Sequence, residues 1–131
     1  MKPSLLIVDD DIAITQQLYW ALCDYFEVQT ANDVQSAMRR IVVYEPSIAI
    51  LDLNLSNIND SAESGLRVLA YMRERLPESR VLMISSLVDR ETRDACLANG
   101  AEAVLSKPFD TRELITTLLN EIPCIAAPAA I

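Results

Sequence analysis

The run Ile48-Ala-Ile-Leu-Asp52, four apolar residues leading into one carboxylate, does most to restrict what this chain can become. Pro46 stands before it and a polar loop follows. A continuous apolar run of this length reads as a strand buried on both faces, the usual state of a central strand in a parallel sheet. Asp52 then lies where that strand leaves the core. Open α/β sheets carry their ligand crevice outside the carboxyl ends of the strands, so an acid there is placed for chemistry. Asp also caps turns. Taken alone, the run leaves both readings open, and the other strand ends decide between them.

The same pattern recurs along the chain. Leu5-Leu-Ile-Val8 is a buried strand that ends in Asp9, Asp10 and Asp11. The spacing from Ile12 to Tyr25 is helical, with Ile14, Leu18, Ala21, Leu22 and Tyr25 inward. Phe26 to Thr30 alternates and reads as an edge strand. Asn32 or Asp33 caps a second helix with Val34, Met38, Ile41 and Val42 inside. A loop from Leu53 to Ser64, rich in Asn, Ser and Asp, precedes a third helix. That helix starts near Glu63 or Gly65, buries Leu66, Leu69, Met72 and Leu76, and is stopped by Pro77. Val81-Leu-Met-Ile84 is a fourth buried strand ending in Ser85-Ser86. Asp89 to Asn99 is helical with a weak apolar face (Thr92, Ala95, Cys96) and ends at Gly100, so it is expected to be the least firmly packed helix. Ala103-Val-Leu105 is a short fifth strand, followed by Ser106-Lys107-Pro108-Phe109. Asp110 or Thr111 caps a last helix with Leu114, Ile115, Leu118, Leu119 and Ile122 inward. Residues 1–122 form one domain, and the aperiodic segment 123–131 reads as a flexible tail or linker stub.

Five strands alternating with five helices imply a parallel sheet covered on both faces. Right-handed crossovers leave few topologies. The expected fold is a flavodoxin-like, doubly wound (βα)5 three-layer sandwich with strand order 2-1-3-4-5. Composition removes whole classes of function. No His occurs, which excludes His-based catalysis and His-ligated metals. The net charge of −8 disfavours nucleic-acid binding. No apolar run reaches the length of a membrane span. Met1-Lys2-Pro3-Ser4 leads straight into a strand, so it is no secretory signal. Cys23, Cys96 and Cys124 are widely spaced and read as reduced thiols, which makes the cytoplasm the expected compartment.

In the order 2-1-3-4-5 the crevice collects Asp9, Asp10, Asp52, Ser85 and Lys107. Two unit charges about 4 Å apart repel by roughly 4 kcal/mol at an effective dielectric of about 20. A hard divalent cation makes such a cluster tolerable, and oxygen-only ligands favour Mg²⁺ over zinc or copper. Asp10, Asp52 and a backbone carbonyl just after Asp52 could bind it. Asp52 is then left to attack phosphorus and form an acyl phosphate, with Mg²⁺ and Lys107 offsetting charge and the Ser85 hydroxyl bonding a phosphoryl oxygen. Each residue has a plainer reading: a solvated helix start for the three Asp, strand-end polarity for Ser85, a loop charge for Lys107. Their joint occurrence at four strand ends weighs against all three plain readings together.

Four motifs, Leu-Ile-Val-Asp9-Asp10, Ile-Leu-Asp52-Leu-Asn54, Leu-Met-Ile-Ser85-Ser86 and Ser106-Lys107-Pro108-Phe109, resemble the response-regulator receiver domain of two-component signalling, a member of the CheY-like superfamily. The resemblance covers about residues 4–122. It implies that Asp52 is the phosphoacceptor, that Asp9 and Asp10 organise Mg²⁺ with Asp52, and that the Asn54 carbonyl completes the protein ligands. It also implies phosphoryl-binding and switch roles for Ser85, Ser86 and Lys107, and self-phosphorylation and dephosphorylation in place of enzymatic turnover. Three departures stand out. Ser56 replaces a customary Pro, Gly65 arrives about five residues late, and Val104 stands where the family has a switch aromatic. Val104 is too small to fill the space that a moving hydroxyl vacates.

The donor implied is a sensor histidine kinase or phosphotransfer protein, since the chain lacks a Gly-rich nucleotide loop. Ile12, Thr15 and Tyr19 fall off the inward stripe of the first helix and form the expected docking surface. Output, and a possible homodimer, are expected through the fourth helix, fifth strand and fifth helix. Leu87 offers no polar group to align water, so a long-lived acyl phosphate is expected. The chain is read either as a free-standing receiver or as the N-terminal part of a longer regulator. Three alternatives remain: a pseudo-receiver that only binds proteins, a haloacid-dehalogenase-type aspartate-phosphate phosphatase, and a flavodoxin-like cofactor binder. The phosphatase would want an Asp where Asn54 stands, and the Asp9-Asp10-Asp11 run would repel a cofactor phosphate.

Overall fold

Each apolar run becomes a strand and each periodic segment a helix. The structure, a computed structural model, describes residues 2–53, 64–86, 89–107 and 110–121. In chain order the elements are β1 (Ser4–Val8), α1 (Ile12–Leu22), β2 (Glu27–Ala31), α2 (Val34–Tyr44), β3 (Ile48–Asp52), α3 (Ser64–Arg75), β4 (Arg80–Ser85), α4 (Arg90–Ala98), β5 (Ala103–Ser106) and α5 (Thr111–Glu121). The strands form one parallel sheet in the order β2-β1-β3-β4-β5. β2 is therefore an edge strand and β3 the central one, buried along its whole length.

The sheet divides its side chains between two cores. Leu6, Val8, Ala49, Leu51, Val81 and Met83 pack under α2, α3 and Cys96 of α4. Leu5, Ile7, Ile48, Ile50, Leu82 and Ile84 face α1 and α5. Successive residues of a strand point to opposite faces, so a strand covered on both must be apolar throughout. Among the described residues no helix is long and apolar enough to cross a membrane.

Register fixes where the strand ends fall. Val8 pairs with Leu51 and Leu51 with Met83, so Asp9 and Asp52 are the next residues on two adjacent strands. Ser85 pairs with Ser106 at the ends of β4 and β5, and Lys107 follows.

Several helix faces differ from the sequence expectation. α1 stops at Leu22, and Tyr25 is exposed. β2 begins at Glu27, because buried Phe26 closes the preceding turn. In α2 the buried stripe is Val34, Ala37 and Ile41. Val42, about 100° round the helix from Ile41, faces solvent. Val68 lies deeper in α3 than Leu66 or Leu76, which are partly buried. Only Cys96 of α4 is buried, as its weak apolar face predicts, and burial pushes that thiol's pKa up. Gly100 ends the helix at φ +104°, a left-handed conformation that suits glycine. Leu114 and Leu118 of α5 are buried, whereas Ile122 and the Leu119 side chain lie outside the described residues, as does Cys124.

Of the two candidate caps for α2, Asp33 takes the position. Its carboxylate accepts the Ser36 N–H (2.8 Å) and the Ser36 hydroxyl (2.7 Å). The backbone hydrogen bond from Ser36 is the main cause holding the Asp33 carboxyl below its ordinary 3.8. Asp33→Ala should lower stability by about 1 kcal/mol at neutral pH in urea unfolding. A lowered folded-state pKa means that this stabilisation is present above 3.8 and lost as pH falls through the folded-state value. The gap between wild type and variant should therefore narrow in acid.

Candidate functional site

The three consecutive aspartates that follow β1 have three different surroundings. Asp9 is fully buried. Its N–H donates to Ala31 O (3.1 Å), its carbonyl accepts from Asn32 Nδ2 (2.8 Å), and its Oδ1 accepts the Asp11 N–H (2.9 Å). Asp11 caps α1 through Ala13 N (2.9 Å) and Ile14 N (3.4 Å). The helix-start reading thus applies to Asp11 alone. Asp10, between them, is more exposed than Asp9 or Asp52.

Asp52, the last residue of β3, is also buried. Beyond it Leu53 N–H donates to Ile84 O (2.9 Å), and Leu53 O receives the Gly65 N–H (2.9 Å) and the Ser64 hydroxyl (3.4 Å). The start of α3 is thereby pinned to the end of β3. A Cβ on Gly65 would lie closer than 3.0 Å to Asp52 O, Leu53 Cα and Leu53 O, all main-chain atoms. Gly65 comes late in the sequence yet meets the strand end directly. Asn54, whose carbonyl was expected as a metal ligand, and Ser56 lie outside the described residues, as do Leu87 and Pro108-Phe109.

Lys107 joins the strand ends. Its N–H donates to Ser85 O (2.7 Å). Its Nζ lies 2.9 Å from Asp9 Oδ2 and 3.2 Å from Asp52 Oδ2. Burial pushes this ammonium's pKa down, but contact with Asp9 and the charges of Asp52 and Asp9 outweigh it and raise the pKa above its ordinary 10.5. At neutral pH the side chain is a cation. One carboxylate oxygen from each of Asp9, Asp10 and Asp52 falls within 4.8 Å of the others. Among the described residues, Lys107 is thus ion-paired with two of these three clustered carboxylates, Asp9 and Asp52. Asp9 Oδ2, buried and close enough to Lys107 for an ion pair, makes no aligned hydrogen bond. An all-oxygen donor set with surplus negative charge and an under-partnered buried oxygen fits a hard divalent cation such as Mg²⁺.

Residues 5–119 match the family model of the response regulator receiver domain. The chain belongs to that family. It is 33% identical over 115 residues to the transcriptional regulatory protein KdpE of Staphylococcus aureus, covering 87% of this chain and 47% of that protein. To the photosynthetic apparatus regulatory protein RegA of Rhodobacter capsulatus it is 32% identical over 126 residues, covering 95% and 66%. A CheY-like response regulator receiver domain protein from Methanospirillum hungatei has the same fold (TM-score 0.85, 23% identity, 95% of this chain and 97% of that one). The chain spans from about half to about two thirds of the length of these curated relatives. It is the receiver domain of a two-component response regulator, a signalling module whose family typically holds Mg²⁺ in an acidic pocket.

The other expected residues of this receiver fall in three groups. Ser85 is buried at the end of β4, and Ser86 is exposed beside it. Val104 is buried against the core shared with α4 and pairs with Met83, so that position already belongs to the packed interior. On α1, Ile12 and Tyr19 are exposed, but Thr15 is buried and its hydroxyl donates to Ile12 O (2.8 Å). The expectation of a docking surface through Thr15 is corrected accordingly. Thr15 stands three and seven residues before Leu18 and Leu22, which puts it on the inward stripe. Sequence reading missed Trp20, 73% exposed and edge-on to Tyr19, and it missed the bond from Asn32 to Asp9.

Gly65→Ala forces a methyl group into main chain that has no flexible end to yield. It should destabilise the fold by about 1–3 kcal/mol, measured by denaturant unfolding against wild type.

Proposed function

We propose that Asp52 of this receiver accepts a phosphoryl group from a phosphohistidine on a sensor histidine kinase or phosphotransfer protein. The observation that carries this reading is the Lys107 ammonium shared by two buried carboxylates, Asp9 and Asp52, at 2.9 and 3.2 Å. An Asp52 carboxylate oxygen forms the new P–O bond as the P–N bond breaks, and the imidazole nitrogen leaves with the electron pair. Lys107 transfers its charge from the carboxylate to a phosphoryl oxygen, and the Ser85 hydroxyl donates to another. Ser86, the exposed residue after Ser85, is in this reading a further phosphoryl contact. Asp10, Asp52 and the Asn54 carbonyl, with Asp9 organising the site, would hold Mg²⁺, which would supply further neutralisation of phosphoryl charge. The protein's part is positioning and electrostatics, the main requirements of phosphoryl transfer.

Ile12 and Tyr19, exposed on the outer face of α1, form the donor's docking surface in this reading. The output face, and that of a possible homodimer, is α4, β5 and α5. Phosphorylation there shifts a population between two states. KdpE is a transcriptional regulatory protein and RegA a photosynthetic apparatus regulatory protein, and both are longer than this chain, which supports a receiver unit over 1–122 with 123–131 as tail or linker stub. The free thiols of Cys23 and Cys96 support a cytoplasmic setting.

Incubation with acetyl phosphate and Mg²⁺ should add one phosphoryl mass to the wild type in intact mass spectra. Asp52→Ala should add none, and EDTA should abolish the gain. A protein that never gains the mass, or a variant that gains it equally, overturns the phosphoacceptor reading. Tyr19→Ala should slow transfer from the cognate kinase by about fivefold or more while leaving acetyl phosphate labelling intact. An unchanged transfer rate would remove Tyr19 from the docking surface.

A further inference from the structure

Asn32 is exposed, stands beside the helix cap Asp33, and has no capping duty of its own, yet its side-chain amide donates to the main-chain carbonyl of Asp9 at 2.8 Å. Asp9 is the first residue past β1, where ladder partners for the main chain run out. Its N–H still finds Ala31 O at 3.1 Å, so the β2–α2 junction grips both sides of the Asp9 main chain. We infer that Asn32 is a positioning residue for the acidic pocket, orienting Asp10 for the divalent cation by holding the peptide that joins it to Asp9.

The peptide bond is planar, so fixing the direction of the Asp9 carbonyl fixes the plane that leads into Cα of Asp10. The far side of Asp10 is fixed as well, because Asp11 is tied to Asp9 Oδ1 through its N–H and to the first turn of α1 through its carboxylate. Asp10 is the most exposed of the three clustered acids, hence the one least constrained by packing. The main chain on either side sets where its Cα–Cβ bond points, and Asn32 holds one of those sides. Groups that orient a metal's ligands typically contribute 10- to 100-fold to metal affinity. Asn32 acts one step further out, through main chain, so the low end of that range applies. This role rests on the reading of Asp10 and Asp52 as cation ligands.

The test is calorimetric titration of the full 131-residue chain with MgCl₂, for wild type, Asn32→Ala, Asn32→Leu and Asp33→Ala, with urea unfolding of each metal-free protein alongside. Asn32→Leu keeps the side-chain bulk and removes the donor. Asp33→Ala weakens the same junction through the α2 cap without touching Asp9. Both Asn32 variants should raise the Mg²⁺ dissociation constant about 10-fold, and Asp33→Ala should leave it within about twofold of wild type despite its lower stability. Acetyl phosphate labelling of the Asn32 variants should be low at limiting Mg²⁺ and regain the wild-type yield at saturating Mg²⁺. Unchanged affinity in both Asn32 variants overturns the inference, as does an equal loss in Asp33→Ala. A wild type that binds no Mg²⁺ overturns it together with the reading beneath it. A wild type that binds Mg²⁺ but never gains a phosphoryl mass sinks the phosphoacceptor reading, and a 10-fold shift in the Asn32 variants would still uphold the role of Asn32.

Discussion

An ammonium group shared by two buried carboxylates is the interaction on which the upper end of this sheet depends. Lys107 meets Asp9 Oδ2 and Asp52 Oδ2 while its own N–H is bonded to Ser85 O, so one residue ties together the ends of β1, β3, β4 and β5. Burying a charge without a partner is costly, and a buried pair is often no better than apolar residues of the same shape. Stability therefore gives no reason to assemble three acids at this spot. The register of β1 against β3 sets Asp9 and Asp52 side by side, and the one positive charge of Lys107 is less than the negative charge of Asp9, Asp10 and Asp52 together. What remains is an electrostatic demand for a cation at the carboxyl ends of adjacent parallel strands, where open α/β sheets carry their ligand crevice.

Much of the fold could be read from residue pattern because the governing constraint is simple. A strand covered on both faces must be apolar wherever it is covered, and Leu5–Val8 of β1, Ile48–Leu51 of β3 and Val81–Ile84 of β4 are unbroken apolar runs. Helix faces were less legible wherever apolarity and angle disagreed. Ile14 is the more apolar residue, but Thr15 stands on the stripe of Leu18 and Leu22 and is the one buried. Val42 is larger than Ala37, but Ala37 faces the sheet. A buried threonine can bond its hydroxyl to the carbonyl three residues back, as Thr15 does with Ile12, so a polar residue on the inner stripe is tolerated.

The pocket shows the same division. Asp9, Asp52 and Lys107 were legible because each follows directly on an apolar strand, and parallel pairing then brings them together. Asn32 was not, because its partner is a carbonyl oxygen. Every residue owns one, so a side chain that serves main chain leaves no mark in composition or spacing. The separate duties of Asp9, Asp10 and Asp11 were hidden for a related reason. Identical residues in a row diverge only once the chain turns from strand to helix, with Asp11 taking the cap and Asp9 the interior.

The long connection after β3 and the small residue in β5 bear on how the pocket communicates with its surroundings. The Gly65–Leu53 hydrogen bond holds the two ends of that connection together. Doubling a loop adds only about 0.6 kcal/mol of closure entropy, which lets an insertion persist without shifting Asp52. In β5, Val104 is already packed between the sheet and α4, and no ring is present there to swing between two positions. Lys107 follows directly on β5 and its N–H is bonded to Ser85 O, so the pocket and that strand share main chain. Among the described residues, Cys96 is the one buried side chain of α4. Set beside the buried side chains of α1 and α3, it has the least packing to lose.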